Sequence, residues 1–63
     1  MDQETIELVR HLCCRAGMIM ENASPSAIAA PKGGEDLRAA VSGLTVEVDR
    51  ARALLAAADA LIY

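Results

Sequence analysis

Apolar positions recur along the second half of the chain without interruption. Leu37, Val41, Leu44, Val48, Ala51, Leu55, Ala58 and Ile62 follow one another at alternating steps of four and three. That is the spacing of a helix that buries one stripe against another helix. The first half repeats the pattern through Thr5, Val9, Leu12, Ala16, Ile19 and Ala23. Ile6, Cys13 and Met20 widen this stripe on one side and Leu8 on the other, so its apolar arc covers close to half the cylinder. A two-helix contact needs only a narrow stripe, and the extra breadth predicts contact with more than one neighbour.

The pattern predicts a helix from about 2 to 23, a connector from about 24 to 34, and a helix from about 35 to 62. Asp2 or Thr5 is placed to cap the first helix, and Glu4 and Glu7 suit its positive end. Ser24-Pro25 reads as a break that opens a short helical turn, because proline lacks the helical donor and restricts the residue before it. Pro31-Lys32-Gly33-Gly34 reads as a second break. Glu35 and Asp36 then lie in the first turn of the next helix. At 1.5 Å per residue the two helices come to about 33 and 43 Å.

Folding one stripe onto the other gives an all-α antiparallel two-helix hairpin. The expected register sets Ala23 against Leu37, Ile19 against Val41, Ala16 against Leu44, Leu12 against Val48, Val9 against Ala51 and Thr5 against Leu55. Large then meets small in several layers, as interdigitation requires. In this register Leu61, Ile62 and Tyr63 project past Met1, and a second subunit is expected to cover them.

Composition sharpens that expectation. Of the 63 residues 54% are apolar, but 13 of them are alanine, and there is no Phe or Trp and a single Tyr. Aromatic rings supply the largest burial per residue, and here they are nearly missing. A single core in a chain below about 70 residues rarely contributes more than 3–5 kcal/mol. The hairpin is therefore expected to dimerise into a four-helix bundle. The residues expected at the interface are Ile6, Cys13, Gly17, Met20, Gly43, Val46, Leu61 and Ile62. Gly43 sits mid-helix at a cost of about 1 kcal/mol relative to alanine, which suggests a close approach there.

Charge narrows the partners. The net charge is −3 and the pI about 4.8, with basic residues scattered, which disfavours nucleic acid. Met1-Asp2-Gln3-Glu4 does not open like a secretory signal, and no uncharged apolar run is long enough for a membrane span. A cytoplasmic location is expected, with a homodimer, or another protein, as the partner.

Candidate chemistry is sparse. The adjacent thiols Cys13 and Cys14 point about 100° apart on a helix and lack a metal-ligand spacing. Glu7, His11, Cys14 and Met18 share one polar helix face, and His, Cys and Met at steps of three and four suit a soft metal such as Cu(I). His11 precedes Cys14 by three residues, but a nucleophile on one exposed face has no pocket or oxyanion donors. The sequence thus reads as a small homodimeric helical interaction or regulatory module without catalytic activity, cofactor or bound metal. The alternative is a soft-metal or redox sensor built on His11, Cys14 and Met18. The hairpin resembles small bacterial bundle proteins in architecture alone, which says nothing of role.

Overall fold

The computed structural model describes residues 1–63 as two helices and no strands, α1 (Gln3–Ile28) and α2 (Gly34–Ile62), folded back on each other. The chain forms a thin slab of 50 × 16 × 10 Å. Asp2 is the N-cap of α1: its carboxylate accepts the Thr5 backbone N–H at 2.7 Å, and its carbonyl accepts the Ile6 N–H at 3.1 Å. The side-chain hydrogen bond from Thr5, followed by its backbone hydrogen bond, holds the Asp2 carboxyl below its ordinary pKa.

Helix α1 does not break at Ser24-Pro25. It runs on to Ile28 with Pro25 inside it, so the link between helices is five residues, not the eleven expected. The ring of Pro25 removes only the bond that its own N–H would give to the Glu21 carbonyl. The ladder resumes beyond it, where the Ala29 N–H donates to the Pro25 carbonyl at 3.0 Å. At the far side of the link, Gly34 takes a φ of 71°, a conformation that side chains other than glycine's rarely adopt. No side chain caps α2 at its start.

The longer α1 resets the register. Ala23 and Leu44 line one groove between the helices, together with Asn22, Ser26, Gly43 and Glu47. Arg15, Ile19, Arg50 and Leu54 line another, farther from the turn. These two grooves place Ala16 level with Ala51, Val9 with Ala58 and Thr5 with Ile62, about one heptad from the expected pairing. The physical reason is the position of the turn. Because α1 continues five residues past Ala23, α2 must descend further before it comes level with it. The expected overhang of Leu61–Tyr63 beyond Met1 is thereby removed, since those residues lie beside the first turn of α1.

The contact stripe of α1 is the expected one: Thr5, Val9, Leu12, Ala16, Ile19 and Ala23 are all buried or half-buried. On α2 the stripe is different. Its covered positions are Leu37, Ala40, Leu44, Glu47, Ala51, Leu54 and Ala58. The column Leu37/Leu44/Ala51/Ala58 is common to both readings, but its companion is Ala40/Glu47/Leu54 rather than Val41/Val48/Leu55/Ile62. Only Ala16, Ala51 and Ala58 are buried outright. Alanines at the contact let two helix backbones approach closely, whereas a column of Val and Leu would hold them apart. Glu47 tolerates its place because its carboxylate reaches outward to Arg50 at 3.2 Å, its stem covering the seam as long charged side chains do.

Two outcomes follow. Ala16→Leu, at the one fully covered position, is expected to destabilise the chain by about 1–3 kcal/mol through overpacking. Pro25→Ala is expected to stabilise it by about 1–3 kcal/mol, because it restores a donor to Glu21 and removes the ring. Urea denaturation followed by circular dichroism measures both; an unchanged midpoint for Ala16→Leu would refute the close alanine contact.

Candidate interaction surface

Two antiparallel helices lying side by side make a slab with two broad faces, and the register decides which residues share each. On one face lie the groove residues already named: Arg15, Asn22 and Ser26 from α1, with Glu47 and Arg50 from α2. This face is polar at its centre and carries an ion pair. Helical periodicity sends the opposite flank of each stripe to the other face.

That other face is built from two columns of seven-residue spacing. Ile6, Cys13, Met20 and Ala27 come from α1, and Val41, Val48, Leu55 and Ile62 from α2. In the observed register they form four layers: Ala27 with Val41, Met20 with Val48, Cys13 with Leu55, and Ile6 with Ile62. None of the eight is charged. The α2 column, expected in the seam, lies on the surface: Val41, Val48, Leu55 and Ile62 are 55%, 48%, 42% and 46% exposed. Met20 is half exposed, Cys13 and Ala27 are exposed, and Ile6 is partly covered. Arg52 and Asp59 share this side of α2, for Asp59 stands about five full turns from Val41 and Arg52 about three. Neither takes part in an ion pair within the chain. Contiguous apolar surface of this kind marks interaction sites in soluble proteins.

The fold therefore brings together some of the residues expected at an interface and separates others. Ile6, Cys13, Met20 and Ile62 share the apolar face, and Gly17 borders it on α1. Gly43 and Leu61 fall on the opposite flank, and Val46 on the back of α2. Val41, Val48, Leu55 and Ala27 were not among the expected interface residues. Periodicity gave no sign for the first three, since Leu37, Leu44, Ala51 and Ala58 serve equally in a seam completed by Val41/Val48/Leu55 or by Ala40/Glu47/Leu54.

Glu7, His11, Cys14 and Met18 lie on the side of α1 that faces away from α2. His11, Cys14 and Met18 are exposed, and α2 contributes nothing to this side. No group of three His, Cys, Asp or Glu is placed to hold a metal ion. No helix is long and apolar enough to cross a membrane. No family model matches the chain, and neither curated proteins nor solved structures give a significant match.

Gly43 has open space where a Cβ would stand, so the hairpin itself does not require a glycine there. Gly43→Ala is expected to raise stability by about 1 kcal/mol from helix propensity, read as a rise in Tm. A fall would mean that something outside the chain packs against that flank.

Proposed function

We propose that this protein is a small, non-catalytic helical module that works by binding protein, and that its basic unit is a homodimer with a four-helix core. The observation that carries this reading is the row of exposed apolar side chains on one face, Met20, Val41, Val48, Leu55 and Ile62. A hairpin that buries three alanines and leaves two heptad columns of larger side chains in water has its main hydrophobic resource facing outward. Bundles satisfy such faces by bringing four helices around one core. We further propose a cytoplasmic location, where thiols such as Cys13 and Cys14 stay reduced.

Binding rather than catalysis suits the distribution of chemistry. The side chains able to act as nucleophile, base or soft-metal ligand, namely Cys14, His11 and Met18, lie on one convex helix surface, and reactive constellations need a concave site with converging groups. Sedimentation velocity at micromolar concentration tests the reading. A dimer is expected, with dissociation on dilution and loss of helicity as it dissociates. A well-folded, monodisperse monomer would refute it.

A further inference from the structure

We infer that two copies of this chain pack face to face through the Ile6/Cys13/Met20/Ala27 and Val41/Val48/Leu55/Ile62 columns, about a two-fold axis that crosses the helices at the level of Gly17. The inference rests on the proposed homodimer and specifies its face, register and symmetry.

Area supports a second copy. A compact chain of 6.6 kDa exposes about 3,900 Å² by the usual scaling with mass. This one exposes 4881 Å². The excess, about 1,000 Å², is close to the ~800 Å² that each partner hides in an interface of standard size. The slab offers a face of that size, since it is 50 Å long and 16 Å wide.

The periodicity of the face supports a two-fold pairing. Its layers repeat every seven residues on both helices, about 10.5 Å apart. A two-fold axis perpendicular to the helices, midway along the face, turns the Met20–Val48 layer onto the Cys13–Leu55 layer of the second copy. The same rotation sets the Ile6–Ile62 layer onto the smaller Ala27–Val41 layer, so volumes complement each other. Gly17 then lies at the axis, where α1 crosses its own copy. Within the chain nothing stands within 4 Å of where its Cβ would be, so no intrachain contact calls for a glycine there. On α2, Arg52 comes beside the axis together with its copy, and each is within reach of Asp49 of the other chain; neither residue has an ion pair in the single hairpin. The opposite face carries the Arg50–Glu47 ion pair instead of an apolar centre.

The native Cys13 thiol tests the placement. In the dimer each Cys13 stands roughly 5 Å along the helix from the axis and faces the partner, whereas Ala57, on the opposite flank of α2, stands about 8 Å from it and points away. We would treat the Cys14→Ser variant and a Cys13→Ser/Cys14→Ser/Ala57→Cys variant, at a concentration where sedimentation shows the dimer, with a hexane-spaced bis-maleimide. Each maleimide adds one thiolate, so no oxidant enters. The expected result is efficient covalent dimer from Cys14→Ser and little from the Ala57→Cys variant. Val48→Lys should also weaken dimerisation by on the order of 100-fold, the cost of an unpaired charge in an apolar contact, whereas Ala53→Lys on the other flank should leave it within about threefold. A dimer that cross-links through the Ala57→Cys thiol, or not through Cys13, or that tolerates Val48→Lys would overturn this face while leaving the homodimer standing. A chain that stays monomeric would overturn both. If Val48→Lys fails to fold, the cross-linking result alone decides.

Discussion

Everything in this hairpin follows from how closely its two helices approach. The three residues it buries completely or nearly so are alanines, one on α1 and two on α2. A contact made of methyl groups is short, and it selects the sides of the helices that have methyl groups to offer. On α2 that choice rotates the helix about its axis by part of a turn. Ala40 and Leu54 move into the seam and Val41, Val48 and Leu55 move out. The apolar face is the counterpart of the alanine seam: one exists because the other does.

The existence of both helices, their antiparallel pairing and the contact stripe of α1 were legible in the sequence, because they depend only on apolar periodicity and on the Pro31–Gly34 break. The stripe of α2 was not. Leu37, Leu44, Ala51 and Ala58 belong equally to a seam completed by Val41/Val48/Leu55 and to one completed by Ala40/Glu47/Leu54. Hydrophobicity alone favours the first, since it avoids a glutamate. Close packing favours the second, and no periodicity count registers backbone separation. Pro25 misled for a related reason. Its ring costs one hydrogen bond near the end of a long helix, which the surrounding turns outweigh, and the register then shifted with the turn. Among the candidate interface residues, Ile6, Cys13 and Met20 were recognisable as surplus breadth on α1. Their partners on α2 were hidden because the seam had already claimed them.

The energetic consequence is larger than the geometric one. Full burial of a Val, Leu, Ile or Met side chain stabilises by about 1.5–3 kcal/mol. Val41, Val48, Leu55, Ile62 and Met20 each keep roughly half of their surface in water, so each leaves on the order of 1 kcal/mol unrealised. Together these amount to several kcal/mol per chain, comparable with all that a lone core of this size supplies. The fully buried residues contribute little by contrast, because a methyl group buries little area. Ordering the backbone costs about 1–2 kcal/mol per residue, and two helices meeting along one narrow line set few contacts against it. In the proposed dimer, where a second copy covers the outer columns, folding and association form a single equilibrium and helicity depends on protein concentration. The thin alanine seam fixes which way the helices face, and the larger residues that it turns outward hold most of the free energy that folding has yet to gain.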